Sequence, residues 1–161
     1  YLGATLVWEG QRLKSYTPKA SSSGHANSYV YSYDENGIRT RKTIGSTVTD
    51  YYYNGTLLMG TVKTTTNSDG STTTSKLRFS YDADGKVVAV NYNGNYYYYL
   101  RNAQNDIVKL IDKTGATVVE YHYDSWGKLL STSGSLASTL GKNNPFRYRG
   151  YVYTGNLTID G

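Results

Sequence analysis

Asp82, Asp84 and Gly85 stand in the order Asp-x-Asp-Gly, and Asp34-x-Asn36-Gly37 and Asn67-x-Asp69-Gly70 repeat the pattern. Oxygen donors spaced this way before a glycine open a calcium loop of the EF-hand kind, which then needs a bidentate acid at its twelfth position. Counted from Asp82 that position is Asn93, and from Asp34 it is Gly45, so neither loop can close around a cation. These short side chains are instead read as turn formers that accept hydrogen bonds from amides further round the bend. His25 lies in a run of small polar residues and His122 alternates with tyrosines, and neither adjoins a Gly-x-Ser-x-Gly or comparable nucleophile signature. Cysteine is absent, which excludes a disulfide framework and a thiolate metal site. No glycine-rich phosphate loop precedes a helix. The expectation is no catalytic residue, no metal and no cofactor.

Two binding chemistries remain. Arg39, Arg41 and Lys42, or Arg147 and Arg149, are interleaved with tyrosines, as in proteins that stack nucleic-acid bases. Strand alternation places Arg39 and Arg41 on one face. A net charge of +5 over 161 residues is mild, however, and the tyrosines are spread too evenly to make one track, so nucleic acid is not expected as a partner. Exposed aromatic rows beside Asn and Asp suit sugar faces better. A surface module for carbohydrate or cell wall is the alternative reading, although such repeats keep a near-regular period and lean on Trp, and only Trp8 and Trp126 occur here.

The chain must hold such residues with little aliphatic material. Tyr alone numbers 19, Phe 2 and Met 1. Each tyrosine ring is apolar but its hydroxyl must find a partner when buried, and an unpaired one costs about 1–3 kcal/mol. A sheet with a wet or partly wet face meets that demand. Tyr96-Tyr97-Tyr98-Tyr99 places tyrosine on both faces of one strand.

The positioning element is a hairpin written most fully in Tyr121-His122-Tyr123-Asp124-Ser125-Trp126-Gly127-Lys128-Leu129-Leu130. Tyr121 and Tyr123 share a strand face, Asp124 opens a turn, Gly127 supplies a positive φ, and Lys128 begins the return. Tyr31, Tyr33, Asp34 and Gly37 repeat it, as do Phe79, Tyr81, Asp82 and Gly85. Asn67 with Gly70, Asn91 with Gly94 and Asp112 with Gly115 are looser relatives, and Asn54-Gly55 is a two-residue turn signal. Strands are expected at about 28–34, 38–44, 47–54, 56–66, 72–82, 86–92, 95–101, 106–112, 116–124 and 128–132, after a first hairpin in 1–17 that bends at Glu9-Gly10. Turns this short imply antiparallel neighbours. Ser131 to Asn144 is expected to be a long loop leading to a further strand at Pro145 and Phe146, with one turn of helix at Ser135 to Leu140 as the weaker alternative. The fold class is all-β, an antiparallel meander. No run approaches a membrane span, and the chain begins as though already inside a strand, as a piece of something longer would.

These units, together with Gly37-Ile38-Arg39-Thr40, Tyr98 to Asp106 and above all Asn144-Pro145-Phe146-Arg147-Tyr148-Arg149-Gly150-Tyr151, resemble the core-associated end of Rhs/YD-repeat proteins. The resemblance covers roughly residues 28 to 153. It implies a strip of a spiral β-shell, curled or edge-paired when isolated, with residues 1–132 as hairpin array, 133–144 as loop and 145–161 as the start of the core segment. It implies a structural role for Tyr31, Tyr33, Asp34, Gly37, Tyr81, Asp82, Gly85, Tyr121, Tyr123, Asp124, Trp126 and Gly127, and a junction at Asn144, Pro145, Phe146, Arg147, Tyr148, Arg149 and Gly150. Arg147 and Arg149 are expected to hold carboxylates of a following segment. The partners implied are the rest of a parent chain with a C-terminal toxin or effector, with further copies through sheet edges and glycans as additional candidates. The location implied is secreted or cell-surface. The family continues into paired Asp-Pro motifs that carry aspartyl self-cleavage; residues 154–161 depart from that pattern, and Asp160 alone is not a dyad.

Overall fold

The computed structural model describes residues 3–19, 27–150 and 152. His25, Tyr151 and the atypical tail from Thr154 lie outside the described residues. The strands are β1 (Thr5–Glu9), β2 (Arg12–Thr17), β3 (Tyr29–Tyr33), β4 (Arg39–Ile44), β5 (Thr47–Asn54), β6 (Leu57–Thr66), β7 (Thr72–Tyr81), β8 (Val87–Tyr92), β9 (Asn95–Arg101), β10 (Ile107–Ile111), β11 (Thr117–Tyr123) and β12 (Leu129–Ser133). Their order in the sheet is the order in the chain, an antiparallel meander as the short turns require. The chain divides into two compact units, 1–76 and 77–161.

One turn recurs in both units. In unit 1 Asp34 N–H donates to Ile38 O and Gly37 N–H to Asp34 O; in unit 2 Asp82, Asp112 and Asp124 form the same pair of bonds with Lys86 and Gly85, Ala116 and Gly115, and Lys128 and Gly127. The fourth residue must take a left-handed φ, which Gly does without strain, as at Gly127 with φ 86°. Asn102 makes the same turn, with Asn105 at φ 71° where the others have glycine. Asn91 does not belong to the set. Its hairpin is a two-residue turn on Asn93 and Gly94, with Tyr92 opposite Asn95, and the Asn91 side chain merely accepts from Gly94 N–H.

Each of these longer turns is followed by a bulge at the same place in the return strand, at Thr40, Val88, Val108, Val118 and Leu130. The extra residue shifts the phase of every later side chain and sharpens the twist. This corrects one expectation. Arg39 lies opposite Tyr33 and Arg41 opposite Ser32, so the two arginines occupy opposite faces.

In every full copy of the repeat the first aromatic is the buried one. Tyr31 is 6% exposed, Phe79 3% and Tyr121 2%. Tyr96 and Tyr98 are exposed while Tyr99 is buried, so the tyrosine run does occupy both faces of β9. Unit 1 buries little more than Tyr31, Leu58 and Thr61, whereas unit 2 encloses Leu77, Phe79, Val90, Ile107, Leu110, Val119, Tyr121, Leu140 and Phe146.

The segment after β12 differs from the expected loop and strand. The chain leaves β12 at Gly134, where φ is 107° and a Cβ would sit 2.4 Å from Val118 O, an approach only glycine permits. It then makes one wide helical turn, Ala137–Gly141, closed by Gly141 N–H to Leu136 O. Among the described residues past Pro145 there is no further strand, only a single bridge between Phe146 and Val152 and a tight turn at Tyr148–Gly150. The backbone groups that a strand would pair are instead taken by side chains, Asn144 foremost.

Candidate functional site

The first part of the site is the turn. Asp34 Oδ1 accepts from Ile38 N–H at 2.8 Å. Asp82 Oδ1 accepts from Asp84 and Lys86 N–H, and Asp124 Oδ1 from Trp126 and Lys128 N–H, all between 2.8 and 3.0 Å. The carboxylates that imitate a calcium loop are thus aimed into their own turns, where they satisfy amides left free by the bend. Tyr33 and Tyr123, the second aromatics of their copies, each donate a hydroxyl hydrogen bond to a backbone carbonyl, Leu13 O and Ile107 O. Trp126 stands at a turn tip and is 89% exposed, while Gly127 beside it is pressed against Tyr148, whose ring a Cβ would meet at 2.4 Å.

The second part is residues 134–150, which cover the repeat-aromatic face of unit 2. Asn144 is its hub, 1% exposed. Its Oδ1 accepts from Tyr99 Oη–H at 2.7 Å and from Phe146 N–H, and its Nδ2 donates to Tyr121 Oη at 3.2 Å and to Phe146 O at 2.6 Å. Tyr121 in turn donates to Gly141 O at 2.8 Å. One amide therefore solves the problem that buried tyrosine poses, giving both hydroxyls a partner in a dry place. Pro145 fixes the chain between this amide and Phe146, with its own φ constrained and no N–H to satisfy. Phe146 then drops edge-on among Phe79, Tyr81 and Tyr99, with ring centroids 4.8, 6.2 and 6.3 Å away. Such edge-to-face pairs add about 0.5–1.5 kcal/mol each beyond area burial.

The two arginines of this string are engaged differently. Arg147 places its guanidinium 5.4 Å from the Tyr121 ring and donates to Gly141 O and Lys142 O, while its carbonyl accepts from Ile107 N–H. Arg149 sits at φ 52°; its N–H donates to buried Asp106 Oδ1, and Asn102 Nδ2 donates to the other carboxylate oxygen. Its guanidinium lies beside Tyr148. Gly150 allows Arg101 to pass close by, and Arg101 donates to Val87 O and Asn105 O.

Burial sets the protonation of this cluster. Tyr99 is pushed well above the ordinary phenol value, chiefly by desolvation. Tyr121 and Tyr123 are also raised by burial, and for Tyr121 the Asn144 hydrogen bond offsets part of the effect. These phenols are held neutral, as donors to carbonyl and amide oxygens, and are poorly placed for acid or base work near neutral pH. Among the described residues no three of His, Asp and Glu gather where they could hold one ion.

The sequence singled out Asn144 to Gly150 as a junction but missed Tyr99, Asp106 and Asn102, which complete it. The Asn102 to Asp106 string carried the signal, since Asn tolerates the left-handed conformation where the other turns have Gly.

Hairpins with a fixed acid-to-glycine turn, a bulged return and a buried first aromatic define a YD-repeat array. A family model described as the teneurin YD-shell matches residues 70–153. The chain belongs to this YD-shell family of Rhs/YD-repeat proteins. It is 37% identical over 150 residues to the tRNA nuclease WapA of Bacillus subtilis and 35% identical over 150 residues to the tRNA3(Ser)-specific nuclease WapA of Bacillus spizizenii. Each comparison takes in 92% of this chain and 6% of the relative. Among solved structures it resembles TcdB2-TccC3-Cdc42, with a TM-score of 0.70 at 18% identity, and TcdB2-TccC3 without its hypervariable C-terminal region, with a TM-score of 0.69 at 19% identity. Both cover 93% of this chain and 8% of the solved chain, and at this identity they speak for the fold. The chain thus spans a small part of the length of every relative named.

Proposed function

We propose that this chain is a non-catalytic wall segment of a YD-repeat shell, part of a larger secreted or surface-associated protein that encloses and delivers a C-terminal effector. The observation that carries this reading is the covering segment. Its polar groups are engaged within the protein, Asn144 with Tyr99 and Tyr121, the Arg147 guanidinium with the carbonyls of Gly141 and Lys142, and the Arg149 backbone N–H with Asp106, and among the described residues they form no constellation of nucleophile, base and oxyanion donor. The repeat-aromatic face is the inward one on this reading, because it is the face that residues 134–150 occupy. The test is limited proteolysis of the parent protein. The segment downstream of the array should resist a protease that cuts it rapidly when it is expressed alone; equal cutting rates would sink the proposal.

A glycan-binding role for the opposite face is the second reading, favoured by one feature. A cavity of about 400 Å³ is lined by Ser32, Thr40, Arg41, Asp50, Tyr51 and Tyr52, with Tyr52 exposed and Arg41 paired to Asp50. A ring beside a paired acid and base suits a sugar. Saturable binding of cell-wall oligosaccharide that Tyr52→Ala abolishes would support it, and binding unaffected by that change would remove it.

A further inference from the structure

The repeat-aromatic face of unit 1 carries a basic cluster in which one donor, Arg39 Nε, lacks an acceptor. Lys42 lies opposite Tyr31 on β3 and opposite Thr49 on β5, and Thr49 lies opposite Lys63 on β6. Lys42, Thr49 and Lys63 therefore form one row on the face of Tyr31. Arg39, brought to the same face by the bulge at Thr40, holds its guanidinium 4.4 Å over the Tyr31 ring. Its Nε is shut away from solvent and has no hydrogen-bond partner. Burial first, and then the nearby Arg39 and Lys63 charges, hold the Lys42 amine below its ordinary value. The cluster thus has both a donor without an acceptor and a charge that an anion would relieve.

Among the described residues no acid of unit 1 forms an ion pair with Arg39 or Lys42, although Asp34 and Arg39 both act on Tyr53. Glu9 pairs with Lys14, Asp50 with Arg41 on the other face, Asp34 accepts from Ile38 N–H, Asp69 accepts from Ser71, and Glu35 is exposed at a turn tip. Unit 2 shows what completes such a site. There the guanidinium near the first aromatic is that of Arg147, and a covering chain supplies its acceptors, Gly141 O and Lys142 O. Unit 1 has no such segment among its described residues.

We propose that this face of unit 1 binds an acidic polypeptide segment of the parent protein, with carboxylates received by Arg39 and Lys42 and backbone laid over the tyrosine wall. The proposal rests on the shell-wall reading for the identity of the occupant. Polypeptide fits better than nucleic acid because the rings are not free to stack bases: the Tyr31 face is occupied by Arg39, and Tyr16 and Tyr29 pack on each other at 5.6 Å.

The test titrates the 161-residue chain with a peptide of alternating Glu and Gly, its Gln counterpart, and a uridine-rich oligonucleotide, following Arg39 Nε–H and Lys42 Nζ by NMR. The Glu peptide should shift both signals saturably, raise the Lys42 titration point, and weaken with added salt. Lys42→Gln should weaken binding about tenfold, as expected for loss of one charge-assisted contact, while Arg41→Gln on the other face should leave it unchanged. Equal response to the Gln peptide, tighter binding of the oligonucleotide at these residues, or unchanged affinity in Lys42→Gln would each overturn the proposal. Should Lys42→Gln fail to fold, the Arg39 Nε–H response of the unsubstituted chain decides alone. Protease resistance in the parent is unaffected by this outcome, so the two readings fail separately.

Discussion

In unit 2 the first aromatics of the repeat, Phe79 and Tyr121, lie beneath residues 134–150 and their surroundings are dry; in unit 1 the same repeat position is Tyr31, and what lies over it is Arg39 from the neighbouring strand. The hairpin, the turn bonds and the bulge are the same in both. A tyrosine-bearing sheet therefore does not by itself make a core. It makes a half-wet face that becomes a core only when a second segment brings carbonyls, an amide and a phenyl ring to it. The repeat sheet is the generic part, and the covering segment makes a local lock.

Phe146→Ala should have the largest effect on unit 2. Phe146 is the apolar centre of the cover, so its removal should destabilise unit 2 by about 3–5 kcal/mol, in the range for a buried Phe. Denaturant unfolding measures the loss, and hydrogen exchange should place it in β7 to β11. A loss below about 1 kcal/mol would mean the segment rests on the sheet without completing a core.

Asn144→Leu comes next. It keeps the volume but leaves the Tyr99 hydroxyl and the Phe146 carbonyl without the bonds they make now. Each unsatisfied buried group costs about 1–3 kcal/mol, and some relaxation is expected, so about 2–4 kcal/mol in total is the expected loss. Tyr99→Phe in that background should restore part of it, because removing an orphaned hydroxyl is nearly neutral or favourable. Additive losses would show that Asn144 acts through packing alone.

How much of this the sequence announced depends on whether the signal was local. The Tyr-x-Tyr-Asp-x-x-Gly turn was legible because its bonds join residues only a few positions apart, so spacing alone encodes it. The strands followed from it to within a residue or so. The bulges were not legible, since an extra residue in a return strand leaves no compositional mark; the run Val87-Val88-Ala89-Val90, which fails to alternate, was the one hint. The grouping of Asn91 with the longer turns failed because Asn-Gly two positions on makes a tighter turn that wins locally. Asn144 was legible as a member of a string, but its partners Tyr99 and Tyr121 are 45 and 23 residues away, and only tertiary structure shows the hub.

The two faces should also differ in alkaline titration. A buried phenol is favoured neutral in the fold, so its folded pKa lies above the unfolded 10.0. The stabilisation it contributes is full below that unfolded value and is lost as pH rises through the folded one. In unit 1 Tyr51 should ionise near pH 12, held up by burial against the opposing Arg39 charge, whereas Tyr99 in unit 2 should stay protonated until the cover opens. Tyrosinate absorbance with stopped-flow mixing reads this as a fast phase for the first and a slow, unfolding-limited phase for the second. A fast phase for Tyr99 would show that the cover does not exclude hydroxide.

The smallest effect tests the half of the comparison that should hold constant. Asp69 in unit 1 and Asp112 in unit 2 both accept a hydroxyl hydrogen bond from the residue two positions on, Ser71 and Thr114, at 2.6 Å, and in both this bond is the largest cause of a lowered carboxyl pKa. A carboxyl whose folded pKa is depressed contributes stability above the unfolded value and loses it as pH falls through the folded one, so both turns should weaken together in mild acid. Ser71→Ala and Thr114→Val should each raise the pKa of their own acid, as followed by carboxyl carbon NMR, and by similar amounts. The turn closes within itself, so its chemistry should not register whether a segment covers the sheet beside it. Unequal shifts would mean that the cover reaches the turns, and the repeat sheet could then no longer be treated as a generic part.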